Sequence, residues 1–221
     1  MPRTLPRPVP PRVSAPDLAQ QLDEQAGLTA RADHFQRRIE LETETDAAHA
    51  ALSECVIAPA SVSSVVLTGA TLVDVAIDDL RATTVTARGA RLRRVRIEGG
   101  RIGTLDLADA ELDEVELRGI RLDYLSLASA RIEDVVVVDC ILGTLDLPAS
   151  TATRVRFENS TAEDVDTRAL RAEDVDLRGL EALSFTDAAS LRGTTLSAPQ
   201  IERLAPAFAA TLGIHVGDGR R

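Results

Sequence analysis

Apolar residues recur at every fifth position through the middle of the chain. Over residues 107–132, which read LADAELDEVELRGIRLDYLSLASARI, they are Leu107, Leu112, Leu117, Leu122, Leu127 and Ile132. This spacing fits neither a helix, with about 3.6 residues per turn, nor a half-buried strand of period two. A second apolar set lies two residues before each of these positions. Each five-residue unit is therefore predicted to be a very short strand followed by a turn.

The second apolar set repeats by size every twenty residues. One series is entirely valine: Val75, Val95, Val115, Val135, Val155 and Val175. Another is entirely small: Ala50, Ala70, Ala90, Ala110, Ala130 and Ser150. Residues that meet the same neighbours converge on the same size. A repeat of twenty residues contains four five-residue units, so it predicts a four-sided coil with one unit per side. Between residues 50 and 180, side chains at numbers ending in 0, 2, 5 and 7 should point inward.

Several of these units resemble the pentapeptide-repeat family, whose members read roughly A(D/N)Lxx. The recognisable variants are ADAEL, ATLVD, ARLRR, ARIED and AEDVDLRG, and the resemblance covers about residues 45–196. It implies an all-β solenoid, a right-handed quadrilateral β-helix of pentapeptide repeats. Many members have Phe at the central position, whereas here only Phe157 does so in the regular part. The departure weakens any transfer from a Phe-rich subgroup.

Residues 1–16 are predicted to be a disordered, basic tail. Prolines and arginines alternate there, and proline favours an extended, solvated chain: the residues are Pro2, Arg3, Pro6, Arg7, Pro8, Pro10, Pro11, Arg12 and Pro16. The alternative interpretation is an arm that binds an acidic partner or a proline-reading domain.

Residues 17–44 are predicted to cap the N-terminal end of the rod, where a sheet edge would otherwise be exposed. The stretch DLAQQLDEQAG favours a short helix that begins near Asp17 and ends at Gly27. The stretch FQRRIEL alternates polar and apolar residues, which is typical of a strand.

Residues 197–221 are predicted to form a C-terminal helix and tail. The repeat register is expected to slip after Ala182, and Pro206 should kink or divide the helix. Ser197 with Gln200 has the spacing of a capping box, and Gly213 is the expected stop. One apolar face contains Ile201, Leu204, Phe208 and Leu212. It is either a cap on the last coil or a dimer contact; in gyrase-directed members of the family a similar element carries dimerisation.

The composition narrows the classes of function. The formal net charge is −10, which disfavours direct nucleic-acid binding and anionic membranes. No apolar run serves as a signal peptide or a membrane span, so a cytoplasmic protein of bacterial type is expected. Two cysteines, Cys55 and Cys140, do not make a disulfide framework and fall at inward positions.

No motif in the chain carries enzyme chemistry. The three histidines, His34, His49 and His215, have no metal-ligand spacing, and the absence of lysine excludes a P-loop. We therefore expect no catalytic, cofactor-binding or metal-ligating residue, and no cofactor.

The outward positions remain as candidates for function. Tyr124 is the only tyrosine and should face outward between Thr104 and Thr144. The acidic candidates are Asp106, Asp146, Glu163, Asp164 and Asp166. The alternative interpretation is a solvated surface without a binding role. On it, arginine ladders such as Arg81, Arg101 and Arg121 compensate the negative charge of the acidic residues.

Two functions follow as alternatives. The first is a non-enzymatic, rigid rod or scaffold that binds a protein partner which the sequence does not identify. The second is suggested by the resemblance alone: a DNA mimic that modulates a type II topoisomerase, DNA gyrase. The arginines among the acids favour the first, because a DNA mimic requires a continuous negative field.

Overall fold

The computed structural model describes residues 7–217 of the chain. Nineteen short strands, a 3₁₀ turn and one helix make up this part. The strands are β1 Asp23–Ala26, β2 Asp33–Phe35, β3 Arg37–Glu40, β4 Glu44–Asp46, β5 Ala51–Ile57, β6 Ala60–Val66, β7 Thr71–Asp78, β8 Leu80–Thr86, β9 Arg91–Glu98, β10 Arg101–Asp106, β11 Glu111–Arg118, β12 Arg121–Ser126, β13 Arg131–Val138, β14 Ile141–Asp146, β15 Thr151–Glu158, β16 Ser160–Asp166, β17 Arg171–Asp176, β18 Leu180–Phe185 and β19 Thr194–Thr195; the 3₁₀ turn is Ala188–Leu191 and helix α1 is Ala198–Thr211.

The strands stack into two parallel sheets, one of eleven strands and one of eight. Along the regular part each residue pairs with the residue twenty positions away, as in Val95–Val115–Val135. Within a strand two residues separate the inward-facing positions at a corner, for example Leu92 and Val95, because the chain turns there. The predicted fold, an all-β solenoid with four-sided coils, is confirmed.

The core is a single aliphatic column inside the coils. All residues between 50 and 180 with numbers ending in 0, 2, 5 or 7 are buried, except the half-buried Ala60, Gly100 and Ala172. Ala110 is 0% exposed and lies between Ala90 and Ala130 of the neighbouring coils. The two size series predicted from the sequence therefore correspond to stacked positions in the structure.

Three of the four corners turn through residues with left-handed backbone angles. Examples are Asp109 (φ 60°), Asp134 (φ 52°) and Asp139 (φ 54°), one from each corner. The fourth corner, which contains Tyr124, has no such residue among residues 7–217. Beside it the backbones approach closely: a Cβ at Gly143 would lie 2.4 Å from the Asp123 carbonyl oxygen.

The N-terminal cap consists of strands, and the predicted helix over DLAQQLDEQAG is wrong. β1 pairs with β3, and β3 pairs with β5, so the larger sheet begins at Asp23 rather than near residue 45. Asp23 pairs with Arg37 and Arg38 with Val56, so these first turns are shorter than twenty residues. The exposed edge of β3 offers unpaired main-chain groups, and a strand satisfies them where a helix would not.

The prediction of a free tail over residues 1–16 is wrong for the residues that the structure describes. Residues 7–17, which we call the N-terminal strap, lie along one corner of the coil. Main-chain amides of Arg12, Ser14 and Asp17 donate to carboxylates of three different coils. These hydrogen bonds hold the extended chain in place without any regular secondary structure. Residues 1–6 of the predicted tail lie outside the described part.

The C-terminal end departs from the expected boundaries. The register continues past Ala182, because Phe185 still pairs with Val165. The slip comes later, where Val175 pairs with Thr194. Helix α1 runs unbroken through Pro206, which lies on the exposed side where water can satisfy the carbonyl that proline leaves free.

Candidate interaction surface

Tyr124 lies at the corner that has no left-handed residue. Strands β10, β12 and β14 place Thr104, Tyr124 and Thr144 in register on consecutive coils. The tyrosine is 36% exposed, whereas the two threonines are half-buried. The corner therefore presents one aromatic ring between two small polar side chains.

A hydrogen bond to Asp146 fixes the orientation of Tyr124. The phenol hydroxyl donates to Asp146 Oδ2 at 2.7 Å. This hydrogen bond, together with partial burial and the negative charge of Asp146, raises the pKa of Tyr124. Tyr124 and Asp146, both candidates from the sequence, are therefore in direct contact on the surface.

Pro148 explains why Asp146 is free to bind the tyrosine. At equivalent positions the aspartate accepts a hydrogen bond from the amide two residues later: Asp106 from Ala108 and Asp166 from Arg168, both at 3.0 Å. Proline has no amide hydrogen, so Asp146 cannot close this turn onto residue 148. Its carboxylate is directed to Tyr124 instead.

Two other aspartates of this column, Asp106 and Asp166, are paired with arginine. Asp106 lies 3.1 Å from Arg88 Nη1, and Asp166 lies 2.5 Å from Arg168 Nη2. The hydrogen bond from Arg168 lowers the pKa of Asp166. Both carboxylates are half-buried and their charges are largely compensated. Only Asp146 of the three has tyrosine as its partner.

Glu163 and Asp164 lie further along the rod and are both exposed. β16 carries them next to β14, where Asp164 follows Tyr124 and Thr144 in the same register. The Asp164 carboxylate accepts a hydrogen bond from the Ser184 hydroxyl of the following coil. We call the surface formed by Tyr124, Thr104, Thr144, Asp106, Asp146, Glu163, Asp164 and Asp166 the tyrosine face.

The arginine ladder beside this face shares one carboxylate that sequence reasoning missed. Arg81, Arg101 and Arg121 pair in register on consecutive coils, as predicted. Asp123 lies 3.0 Å from Arg101 Nη2 and 3.8 Å from Arg121 Nε. Asp123 lies two residues after Arg121 on the same strand, so both side chains are on the same face of the sheet. This spacing is the feature of the sequence that could have predicted the ion pair.

The apolar face of helix α1 is divided between the coil and solvent. Leu204 and Phe208 pack against the core, whereas Ile201 is 44% exposed and Leu212 is 74% exposed. A residue outside the predicted set closes the coil: Gln200 is buried, and its amide nitrogen donates to the Leu177 and Leu180 carbonyl oxygens, both at 2.8 Å. These bonds satisfy main-chain acceptors at the last coil.

The thiols and possible metal ligands show no reactive arrangement in the described part. Burial raises the pKa of both Cys55 and Cys140, which makes each thiol a weaker nucleophile. Within residues 7–217, no group of three or more histidine, cysteine or carboxylate side chains is arranged to hold a metal ion. None of the helices in that range has the length and apolar character needed to cross a membrane.

Comparison with known proteins gives only remote structural likeness. No protein-family model matches the chain, and no curated protein matches its sequence. Two trypsin-treated variants of QnrB1, a plasmid-mediated fluoroquinolone resistance protein, align at 13% and 15% identity over 88% and 90% of this chain and all of theirs, with TM-scores of 0.31 and 0.26. HetL, a pentapeptide-repeat protein involved in heterocyst differentiation regulation in the cyanobacterium Nostoc, aligns at 16% identity over 80% of this chain and 86% of its own, with a TM-score of 0.24. TM-scores this low add nothing to the fold, which the coil geometry establishes by itself.

Proposed function

We propose that this pentapeptide-repeat β-helix is a rigid protein-interaction rod, and that a protein partner binds its tyrosine face. The observation that carries the proposal is the exposed Tyr124 ring fixed by the Asp146 carboxylate at 2.7 Å. Tyrosine is enriched among the residues that dominate binding energy at protein interfaces.

Rigidity of the supporting coils favours such a role. Tyr124 belongs to β12, which is hydrogen-bonded on both sides to β10 and β14. A side chain held on a rigid backbone loses little conformational freedom when a partner binds, so more of the contact energy appears as affinity. Thr104 and Thr144 flank the ring and supply hydrogen-bonding groups around an aromatic centre.

A capture experiment with three forms of the purified chain tests the proposal. We expect at least one protein of a host lysate to bind the wild type and to be lost with Tyr124→Ala. Phe35→Ala is the matched control, because Phe35 is also aromatic, is 58% exposed, and lies on β2, outside the tyrosine face. Mass spectrometry identifies the retained proteins. A set of retained proteins that is the same for all three forms would contradict the assignment of this face.

A second candidate function is DNA mimicry directed at DNA gyrase. The net charge of −10 favours it, because gyrase binds a polyanion. The ion pairs Asp106–Arg88 and Asp166–Arg168 oppose it, because they interrupt the negative field. We therefore rank the protein-interaction rod first.

A supercoiling assay separates the two functions. For an interaction rod, supercoiling by gyrase should be unaffected at any concentration at which the chain stays in solution. For a DNA mimic, inhibition should weaken with salt as electrostatic contacts are screened. It should also disappear when Asp146, Asp164 and Asp166 are replaced together by Asn. Salt-sensitive inhibition that the triple variant lacks would reverse our ranking.

A further inference from the structure

One corner of the coil is built from charged residues spaced twenty apart, and all of them have left-handed backbone angles. We call it the charged corner; its residues are Glu54, Asp74, Arg94, Glu114, Asp134, Arg154 and Asp174. Glycine is the usual choice for such an angle. A corner that uses five acids and two arginines instead places a row of functional groups along the edge of the rod.

Two arginines of the charged corner clamp the carboxylates of the preceding coils. Arg94 donates to both Asp74 oxygens at 2.6 and 2.5 Å, and Arg154 donates to both Asp134 oxygens at 2.7 Å. The side chains of Asp74 and Asp134 are only 8% and 9% exposed. A carboxylate has about four lone-pair sites, so each clamped aspartate keeps accepting capacity for another donor.

The N-terminal strap supplies these additional donors from its main chain. The Arg12 amide donates to Asp134 Oδ1 at 2.9 Å, and the Asp17 amide donates to Asp74 Oδ1 at 3.0 Å. Between them the Ser14 amide donates to Glu114 Oε2 at 3.2 Å. The strap thus crosses the coils from Asp134 back to Asp74, with one charge-assisted bond at each of three carboxylates.

The dimensions of an extended proline-rich chain match the stacking of the coils. Arg12 and Asp17 are five residues apart, which spans about 15 Å in a polyproline II conformation. Asp134 and Asp74 are three coils apart, which is about 14 Å at the spacing of paired strands. Pro10, Pro11 and Pro16 have no amide hydrogen, and Pro11 and Pro16 each directly precede a residue whose amide donates to the charged corner, Arg12 and Asp17. The length of the stiff peptide between its donors therefore matches the distance between the carboxylates that accept from it.

We propose that the charged corner is a binding site for an extended, proline-rich basic peptide, and that residues 7–17 occupy it as a tethered ligand. The three hydrogen bonds all come from main-chain amides. The site therefore recognises the extended backbone and the positions of its prolines rather than a particular side chain. The excess of acids over arginines in the charged corner complements the arginines of the strap. A separate peptide of the same chemistry binds the site when the strap is loosened.

Two proline substitutions in the full chain test this site. Ser14→Pro removes one donor to the charged corner. Ala15→Pro is the control, because in the described part of the chain the exposed Ala15 amide donates to no protein group. The probe is a fluorescent peptide of residues 7–17 with its natural sequence, followed by anisotropy. A tethered segment competes at an effective concentration near the millimolar range, so the wild type should bind the probe weakly.

The Ser14→Pro chain should bind the probe about tenfold more tightly than the wild type or Ala15→Pro, because one charge-assisted bond of the competitor is lost. Adding Glu114→Gln to Ser14→Pro should reverse the gain, since the carboxylate that receives the amide is then neutral. Equal binding by Ser14→Pro and Ala15→Pro, or binding that survives Glu114→Gln, would overturn the proposal. These outcomes do not depend on the tyrosine face, so the two proposals fail separately.

Discussion

Ala152 offers a direct test of how tightly the core is packed, because it lines a void. The cavity has a volume of about 30 Å³ and is enclosed by apolar side chains that include Phe157, Val165 and Leu177. In the same stack of the neighbouring coils, larger residues hold the position of Ala152: Ile132 one coil before and Leu112 two coils before. Replacing Ala152 with Val should therefore fill space that is empty.

The size of the effect follows from the added groups. Val adds two methyl groups to the position, and each buried group contributes about 0.8 kcal/mol. The void accommodates roughly one of them without movement of its neighbours, and crowding by the second offsets part of the gain. We expect Ala152→Val to raise the free energy of unfolding by about 1 kcal/mol. Valine also suits the strand position in β15.

Ala110→Val is the matched control, because the chemical change is the same and the surroundings differ. Ala110 is fully buried, is not among the residues that line this cavity, and lies between Ala90 and Ala130. Overpacking of this kind costs about 1–3 kcal/mol. Unfolding in urea should shift to a higher midpoint for Ala152→Val and to a lower midpoint for Ala110→Val. Shifts of the same sign would refute the interpretation that the two stacks differ in free volume.

Three further expectations follow from the charged and exposed groups. Tyr124 is the only tyrosine in a chain without tryptophan, so phenolate absorbance reports its pKa alone; Asp146→Asn should lower that pKa, and the stabilisation by this pair should be lost as the pH rises through it. Arg154 lowers the pKa of Asp134, so the stability it confers should be present above the ordinary carboxyl pKa and lost as the pH falls; acid unfolding of Arg154→Gln should show a smaller loss between neutral and low pH than the wild type does. If helix α1 mediates dimerisation, Leu212→Asp should convert a dimer to a monomer in light scattering; a wild-type monomer would exclude that role.

The repeat register was predictable because it repeats. Positions such as Val95 and Val115 meet the same neighbours in every coil, so the same residue preference appears many times within one sequence. The contact between Tyr124 and Asp146 occurs once and needs knowledge of the corner. Both residues were candidates, but their pairing depends on Pro148, whose missing amide leaves the Asp146 carboxylate free for the phenol.

The ends were harder to predict because neither has a repeating pattern. The stretch before Gly27 has the composition of a helix, yet the unpaired edge of β3 requires a strand, and tertiary hydrogen bonding prevails over propensity. The strap gives no side-chain signal, because its amides make the contacts. The available clue was in the coil: charged residues at a corner where glycine would turn more easily.

The strap and the tyrosine face occupy opposite corners of a four-sided rod. Successive corners lie five residues apart, so the corner of Glu114 and that of Tyr124, ten residues later, are separated by two sides. The aliphatic core, with Leu117 and Leu122 between them, fills the interval. A peptide along the charged corner therefore leaves Tyr124 uncovered, and a partner on the tyrosine face does not compete with the strap for carboxylates. The parallel coils therefore keep the two proposed recognition surfaces apart, the one proposed for a folded partner and the one proposed for an extended basic segment.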